Sequence, residues 1–415
     1  AGDVNGDGFD DVVVGAPGED SDQGRAFIYY GLENGFERGG SWSVSQSGAR
    51  FGTSVSSAGD VNGDGYSDVI VGAEEYGTGG AAFVYPGSPS GLLTSAVWNT
   101  TSSWANASYG CSVSSAGDVN GDGYGDVIIG AKNHGIGGAA FIYLGSPSGL
   151  ENIPTWSVEA AENNADYGYS VSSAGDVNGD GLGDVIVGAP FISSSDEGGH
   201  AYVYLGTTAG SGVGESPIWT GGGVEPSYFG YSVSSAGDVD GDGCSDVIVG
   251  APDISAAYIY YGSPGVGIDG TRSPVTLSLD EVESWFGVAV SSAGDVNNDG
   301  FGDIIVGAYL HTGDESLQGA AYLYLGSSSG LQTEPCWIYE GNRKFAHLGS
   351  SVATAGDVNG DGFGDVIIGA DNMTINESEP FEGRVYVFYG NSEDRLRING
   401  GRSLAPKPLQ ILSHS

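Results

Sequence analysis

Asp3, Asn5, Asp7 and Asp11 occupy positions 1, 3, 5 and 9 of one short stretch, with Gly8 at position 6. Oxygen-bearing side chains at alternate positions of a tight loop can turn inward together, and glycine permits the sharp bend this needs. Such a donor set, with three carboxylates and a backbone carbonyl from position 7, suits a hard divalent cation such as calcium, whereas zinc would favour His and Cys. The pattern D-x-[N/D]-x-D-G-x-x-D occurs seven times. Position 1 is Asp3, Asp60, Asp118, Asp176, Asp238, Asp295 and Asp357. Position 3 is Asn5, Asn62, Asn120, Asn178, Asp240, Asn297 and Asn359, and position 5 is Asp7, Asp64, Asp122, Asp180, Asp242, Asp299 and Asp361. Position 9 is Asp11, Asp68, Asp126, Asp184, Asp246, Asp303 and Asp365. Position 7 offers only its carbonyl, so Phe9, Tyr66, Tyr124, Leu182, Cys244, Phe301 and Phe363 can be apolar there. Asp-Asn-Gly strings also form plain turns, but turn propensity does not account for seven copies with the same oxygens and the same glycine. The sequence predicts up to seven Ca2+ in a structural role. An EF-hand would run on into a helix with Glu at position 12, whereas here a strand-like apolar run begins at position 10.

The elements that must hold these loops repeat with them, every 57 to 62 residues, across the whole of 415 residues. After each loop comes a β-branched run closed by Gly-Ala, such as Val127-Ile128-Ile129, which suits a strand buried on both faces. An alternating aromatic run follows, such as Ala201-Tyr202-Val203-Tyr204, then a weaker strand around Trp42, Trp98, Trp156, Trp219 or Trp337. A fourth run is small and polar and starts near Phe51, Tyr109, Tyr167, Phe229, Phe286 and Leu348. Four strands per unit and seven units predict an all-β chain: one seven-bladed β-propeller over residues 1–415, built of four-stranded antiparallel blades. The small-residue strands belong innermost, where strands crowd the axis. A parallel β-helix lacks this four-strand rhythm. The first unit opens at its acidic loop, so its blade lacks the innermost strand, and an upstream FG-type strand is expected to complete it. Pro406–Leu412 reads as an outer strand.

The 53 acidic residues outnumber 12 basic ones, a formal charge of −41. Nucleic acid and anionic membrane surfaces are poor partners for such a chain, and no apolar run is long enough to insert into a bilayer. With 39% hydrophobic residues, it has material for a real core. Cys111, Cys244 and Cys336 fall in different units and read as small apolar residues, not a disulfide framework. Loops of modest calcium affinity fill reliably only at millimolar calcium, which predicts an extracellular or cell-surface location. Sequons at Asn99, Asn106, Asn372 and Asn376 suit a glycoprotein.

Phe51-Gly52, the acidic loop from Asp60, and Val71-Gly72-Ala73 together resemble the FG-GAP repeat, which builds the propeller of integrin α subunits and related prokaryotic proteins. Literal Gly-Ala-Pro stands at Gly15, Gly188 and Gly250. The resemblance implies calcium on the lower face, usually in three or four blades, whereas all seven loops keep the ligands here. The phrase GDVNGDG also resembles dockerin loops, but those run into helices at a shorter spacing. In integrins an aromatic-lined mouth on the upper face receives a basic residue of the β subunit.

Upper-face loops are where the units differ from one another, and variable loops on a fixed scaffold are where recognition tends to sit. Tyr76, Trp104, Phe191, Tyr228, Trp285 and Tyr309 are the candidate ligand-binding residues. The partner expected there is an extracellular protein or a glycan, an integrin β-like subunit among the candidates. No histidine pairs with a nucleophile at a recognisable spacing. The sequence therefore predicts a non-catalytic, integrin-α-like adhesion module and not an enzyme. The alternatives are a carbohydrate-binding propeller, or the propeller domain of a polysaccharide- or phospholipid-active enzyme.

Overall fold

The β-branched run that follows each acidic loop has no polar face to offer water, so it must sit between two neighbours. The computed structural model, which describes residues 1–42, 47–191, 198–223, 227–372, 383–393 and 396–397, places it there. Blade two is an antiparallel sheet of Phe51–Gly59, Asp68–Ala73, Ala81–Tyr85 and Trp98–Thr101, in that spatial order. Blade three repeats it with Tyr109–Gly117, Asp126–Ala131, Ala139–Tyr143 and Trp156–Glu159. Blades four, five and six follow the same meander. The second strands Asp68–Ala73, Asp126–Ala131, Asp184–Ala189, Asp246–Ala251 and Asp303–Ala308 are buried at every residue. Their side chains form cores between blades: Ile128, Ile142 and Trp156 of blade three pack with Val185, Val187 and Tyr204 of blade four.

Two features explain the composition of the inner and outer strands. Inner strands meet around the axis, where serine hydroxyls bridge them: Val113 N donates to Ser54 Oγ and Val171 N to Ser112 Oγ, both at 3.0 Å. A Cβ on Gly72 would stand 2.0 Å from the Gly110 carbonyl, so the blades approach this closely only through glycine. At the periphery, outer-strand indoles reach the next blade: Trp42 Nε1 donates to the Leu93 carbonyl and Trp98 Nε1 to that of Glu151.

The first blade has three strands, Val12–Ala16, Arg25–Leu32 and Gly35–Trp42, and lacks the innermost one as the sequence implied. Val12 is buried, but the rest of Val12–Ala16 is only half-buried, unlike its counterparts. Blade seven is described as Leu348–Gly356, Asp365–Ala370 and Arg384–Phe388; the expected outer strand at 406–412 lies outside the described residues, as does Asn376. The inner strands of blades four and five begin at Ser170 and Val233, a little after the expected 167 and 229. A tight turn precedes each, with Tyr169 N donating to the Asp166 carbonyl and Tyr231 N to that of Tyr228. All three cysteines are free; Cys244 is buried, and Cys111 and Cys336 are half-buried.

Candidate functional site

Because consecutive strands are antiparallel, the loops from inner to second strand share one face, and the loops leaving the second strand share the other. The acidic loops occupy the first. In the third loop, Asp118 Oδ1 accepts from Gly121 N (2.7 Å) and Asp122 N (3.1 Å), while Oδ2 accepts from Gly123 N at 2.8 Å. Asn120 Oδ1 accepts from Asp122 N, its amide donates to Asp122 Oδ2, and Asp122 Oδ1 accepts from Tyr124 N. Positions 1, 3 and 5 thus curl over the loop's own amides. The position 1 bonds to the amides of positions 5 and 6 recur in all seven loops.

Position 9 differs in kind. Asp126 is wholly buried; its Oδ2 accepts from Val119 N at 2.9 Å and its Oδ1 from Gly145 N at 2.8 Å, tying the loop to the turn after the third strand. All seven position 9 residues make the equivalent pair of bonds. Burial pushes the Asp126 carboxyl up to about 7; the two amides pull it down, and Asp122 and Asp118 push it up again. Asp184, Asp246, Asp303 and Asp365 stand at the same value and Asp11 and Asp68 at about 6, with burial again the first cause. A buried carboxylate among carboxylates lacks a counter-charge.

The fifth loop tests whether a cation fits. Carboxylate oxygens of Asp238, Asp240 and Asp246 lie within 4.8 Å of one another, the one such cluster of acidic, His or Cys ligand atoms among the described residues. Asp240 Oδ1 is buried with no hydrogen-bond partner. An all-oxygen set with an orphaned carboxylate oxygen fits a hard divalent ion. The side chains at positions 1, 3, 5 and 9, with the position 7 carbonyl, would hold it. The other loops carry Asn at position 3, so they bring fewer carboxylates together.

Two links between loops were not legible in the sequence. The position 8 amide of each loop donates to the position 1 carbonyl of the loop before: Ser67 to Asp3, Gly125 to Asp60, and so on round to Asp10, which donates to Asp357 at 3.1 Å. At that closure Asp10 Oδ2 also accepts from Asp357 N at 2.8 Å. In six loops position 4 is glycine (the sixth loop has Asn298), and the position 7 side chain of the next loop lies over it: a Cβ on Gly63 would meet Tyr124 Cε1 at 2.6 Å, and one on Gly360 would meet Phe9 Cε1 at 2.8 Å. Position 7 therefore packs blade against blade.

On the opposite face, four of the six expected ligand residues form one chain of ring contacts. Phe191 lies 4.9 Å from Tyr228, Tyr228 is 6.4 Å from Trp285, and Trp285 is 5.6 Å from Tyr309. His347 extends the chain from Tyr309 at 5.3 Å, with Asp371 paired to it. Tyr76 packs instead on Phe83, and Trp104 on His134, away from this arc. Tyr169 and Tyr231 complete the arc and were missed: their rings are 4.8 Å apart, and Tyr169 touches Phe191. Both stand immediately after the FG-type pair, a register that internal alignment exposes. At the end of the arc, Glu74 bridges Arg50 (3.3 Å) and Lys132 (3.1 Å), and the Lys132 ammonium sits 5.3 Å from the Tyr169 ring centre.

The residue before each FG-type pair is left-handed although none is glycine: Arg50, Ser108, Asp166, Tyr228, Trp285 and His347, with φ of 49° to 55°. Such backbone is uncommon for bulky residues. It is fixed here by the same turn in each blade, in which the residue three further on donates to its carbonyl.

These features coincide with what the chain is similar to. The FG-GAP-like repeat model matches residues 3–71, 60–129 and 176–249, and the FG-GAP repeat model matches residues 286–324 and 348–388. The chain belongs to the FG-GAP repeat family and is an integrin-α-like propeller. It is 29% identical to integrin alpha-5 of Xenopus laevis over 220 residues, 31% to integrin alpha-PS3 of Drosophila melanogaster over 237, and 32% to integrin alpha-V of Gallus gallus over 230. These matches cover 49%, 53% and 51% of the chain, and about a fifth of each relative's length. Among solved structures it resembles a periplasmic gluconolactonase of Pseudomonas aeruginosa (TM-score 0.57, 12% identity, 94% of both chains). It also resembles a Bacteroides uniformis protein assigned as a 6-phosphogluconolactonase (TM-score 0.60, 9% identity, 94% and 95% of the two chains). The expectation that the chain is not an enzyme is corrected by these neighbours: propellers that match nearly the whole chain include a gluconolactonase, so a lack of a spaced nucleophile and base in the sequence carries no such exclusion. At these identities the likeness is one of fold. No helix among the described residues is long and apolar enough to cross a membrane.

Proposed function

We propose that this chain is the recognition head of an extracellular or cell-surface adhesion protein of integrin-α type. Calcium in its lower loops stiffens the blades, and its upper mouth receives a basic side chain of a protein partner, of which an integrin β-like subunit is one form. The observation that carries the partner reading is the aromatic arc from Tyr169 to His347, which crosses four blades without a break. Ring faces attract cations, and Glu74, Asp166 and Asp371 lie around the same mouth in a chain of charge −41, whose field draws in basic groups. Calcium is supported by the orphaned Asp240 oxygen and the uncompensated position 9 carboxylates, and an extracellular setting by the millimolar calcium that such loops need.

The test is calorimetric titration of the calcium-loaded protein with an arginine-bearing pentapeptide, using wild type, Trp285→Ala and Tyr228→Ala. Saturable binding that weakens about tenfold in each variant is expected, the loss of one cation–π contact of ~1.4 kcal/mol. Binding that survives both substitutions, or a neutral oligosaccharide binding in the peptide's place, would overturn the reading.

A further inference from the structure

We infer that Arg272 sets the charge of the fifth acidic loop, so that the one loop with four carboxylates holds a divalent cation about as tightly as the six with three. The inference rests on the cation reading of the loops. Asp240 replaces the asparagine found at position 3 of every other loop. Arg272 Nη1 lies 2.6 Å from Asp240 Oδ2. In blades one to six, the turn joining third and outer strands contains a basic residue in blade five alone. The two departures from the repeat therefore fall in the same blade and touch.

The geometry divides Asp240 between two cations. Its side chain is only 10% exposed. One oxygen is taken by the guanidinium and the other is buried and unpartnered, and Asp240 stands in the carboxylate cluster with Asp238 and Asp246. Arg272 is itself held in place: its guanidinium carbon sits 3.2 Å from the Tyr261 ring centre, and Tyr261 Oη accepts from Leu331 N of blade six. A carboxylate that bridges an outer cation and a metal is fixed in orientation by the outer one. Formally, four carboxylates and one guanidinium equal the three carboxylates of the other loops.

Site-resolved occupancy tests this directly. Crystals equilibrated at stepped Mn2+ concentrations give, from anomalous scattering, a half-filling concentration for each loop, and the six other loops report that the fold is intact. Arg272→Ala is expected to fill the fifth loop at about tenfold lower Mn2+, the factor for removing a unit charge ~6 Å from a divalent ion in a water-like dielectric. Asp240→Asn, which leaves the guanidinium uncompensated, shifts it about tenfold the other way. The double variant falls among the other six, and Arg272→Lys, which keeps the charge, stays near wild type. An unshifted or weakened fifth loop in Arg272→Ala overturns the inference while leaving the other loops' cations in place. If no loop takes Mn2+ in any variant, the cation reading falls, and this inference with it.

Discussion

The uncompensated position 9 carboxylates make a prediction about calcium removal. In the chelated protein, Asp126, Asp184, Asp246, Asp303 and Asp365 are pushed to about 7 by burial, while their unfolded counterparts titrate near 3.8. A carboxyl raised in the folded state binds protons more readily folded than unfolded. Its stability contribution is thus full below the unfolded value and is lost as pH rises through the folded one. Between pH 5.5 and 7.5 each of the five carboxyls passes from mostly neutral to mostly ionised, at ~2 kcal/mol apiece. Allowing for water reaching the loops, the sum falls from ~10 to ~5 kcal/mol. A chain of 415 residues changes by ~0.9 kcal/mol per degree near its melting point, so this is ~6 °C. Calcium, if it fills the loops as proposed, supplies the missing counter-charge and, by binding only the native state, removes most of the dependence. The assay is scanning calorimetry in EDTA and in millimolar calcium at both pH values. Expected is a calcium-dependent gap in Tm that widens by ~6 °C from pH 5.5 to 7.5. A gap that stays constant, or narrows as pH rises, refutes the argument.

Three further outcomes follow from packing and hydrogen bonding. Gly63→Ala, which drives a methyl into the Tyr124 ring, should cost ~2–4 kcal/mol in urea unfolding. Gly65→Ala has open space and pays only for its φ of +87°, so it should cost ~1–2 kcal/mol, and equal costs would undo the assignment of position 4 to blade packing. Tyr109→Phe removes the buried hydroxyl that donates to Tyr143 at 2.9 Å and should lower stability by ~1–2 kcal/mol without changing the urea m-value. Asp10→Gly deletes the second bond at the ring closure and should speed limited proteolysis between blades one and seven, with a loss of ~1–2 kcal/mol; an unaltered digestion rate would count against the clasp.

The loops and blades were legible because a repeat states its rule seven times. One Asp-Asn-Gly string is ambiguous, but Asp3 to Asp365 in register are not. The missing strand of the first blade was legible for the same reason, since Ala1 aligns with the end of every inner strand. What the repeat hid is what happens between its copies. That Tyr124 lies over Gly63, or that Asp10 reaches Asp357, depends on how far one blade is rotated from the next. Tyr169 and Tyr231 went unnoticed at a position that elsewhere carries Thr53 or Cys111. The exclusion of catalysis failed for a related reason: sequence spacing says nothing about groups that separate blades bring to one mouth.

The left-handed turn before each inner strand has a consequence for how such a head could diversify. Its backbone is set by a carbonyl–amide bond and a following glycine, and it already carries arginine, serine, aspartate, tyrosine, tryptophan and histidine without changing course. Six side chains around one opening can therefore be exchanged over an unchanged backbone, much as an antibody varies its loops over a constant frame. New binding preferences could be written there without disturbing the strands beneath.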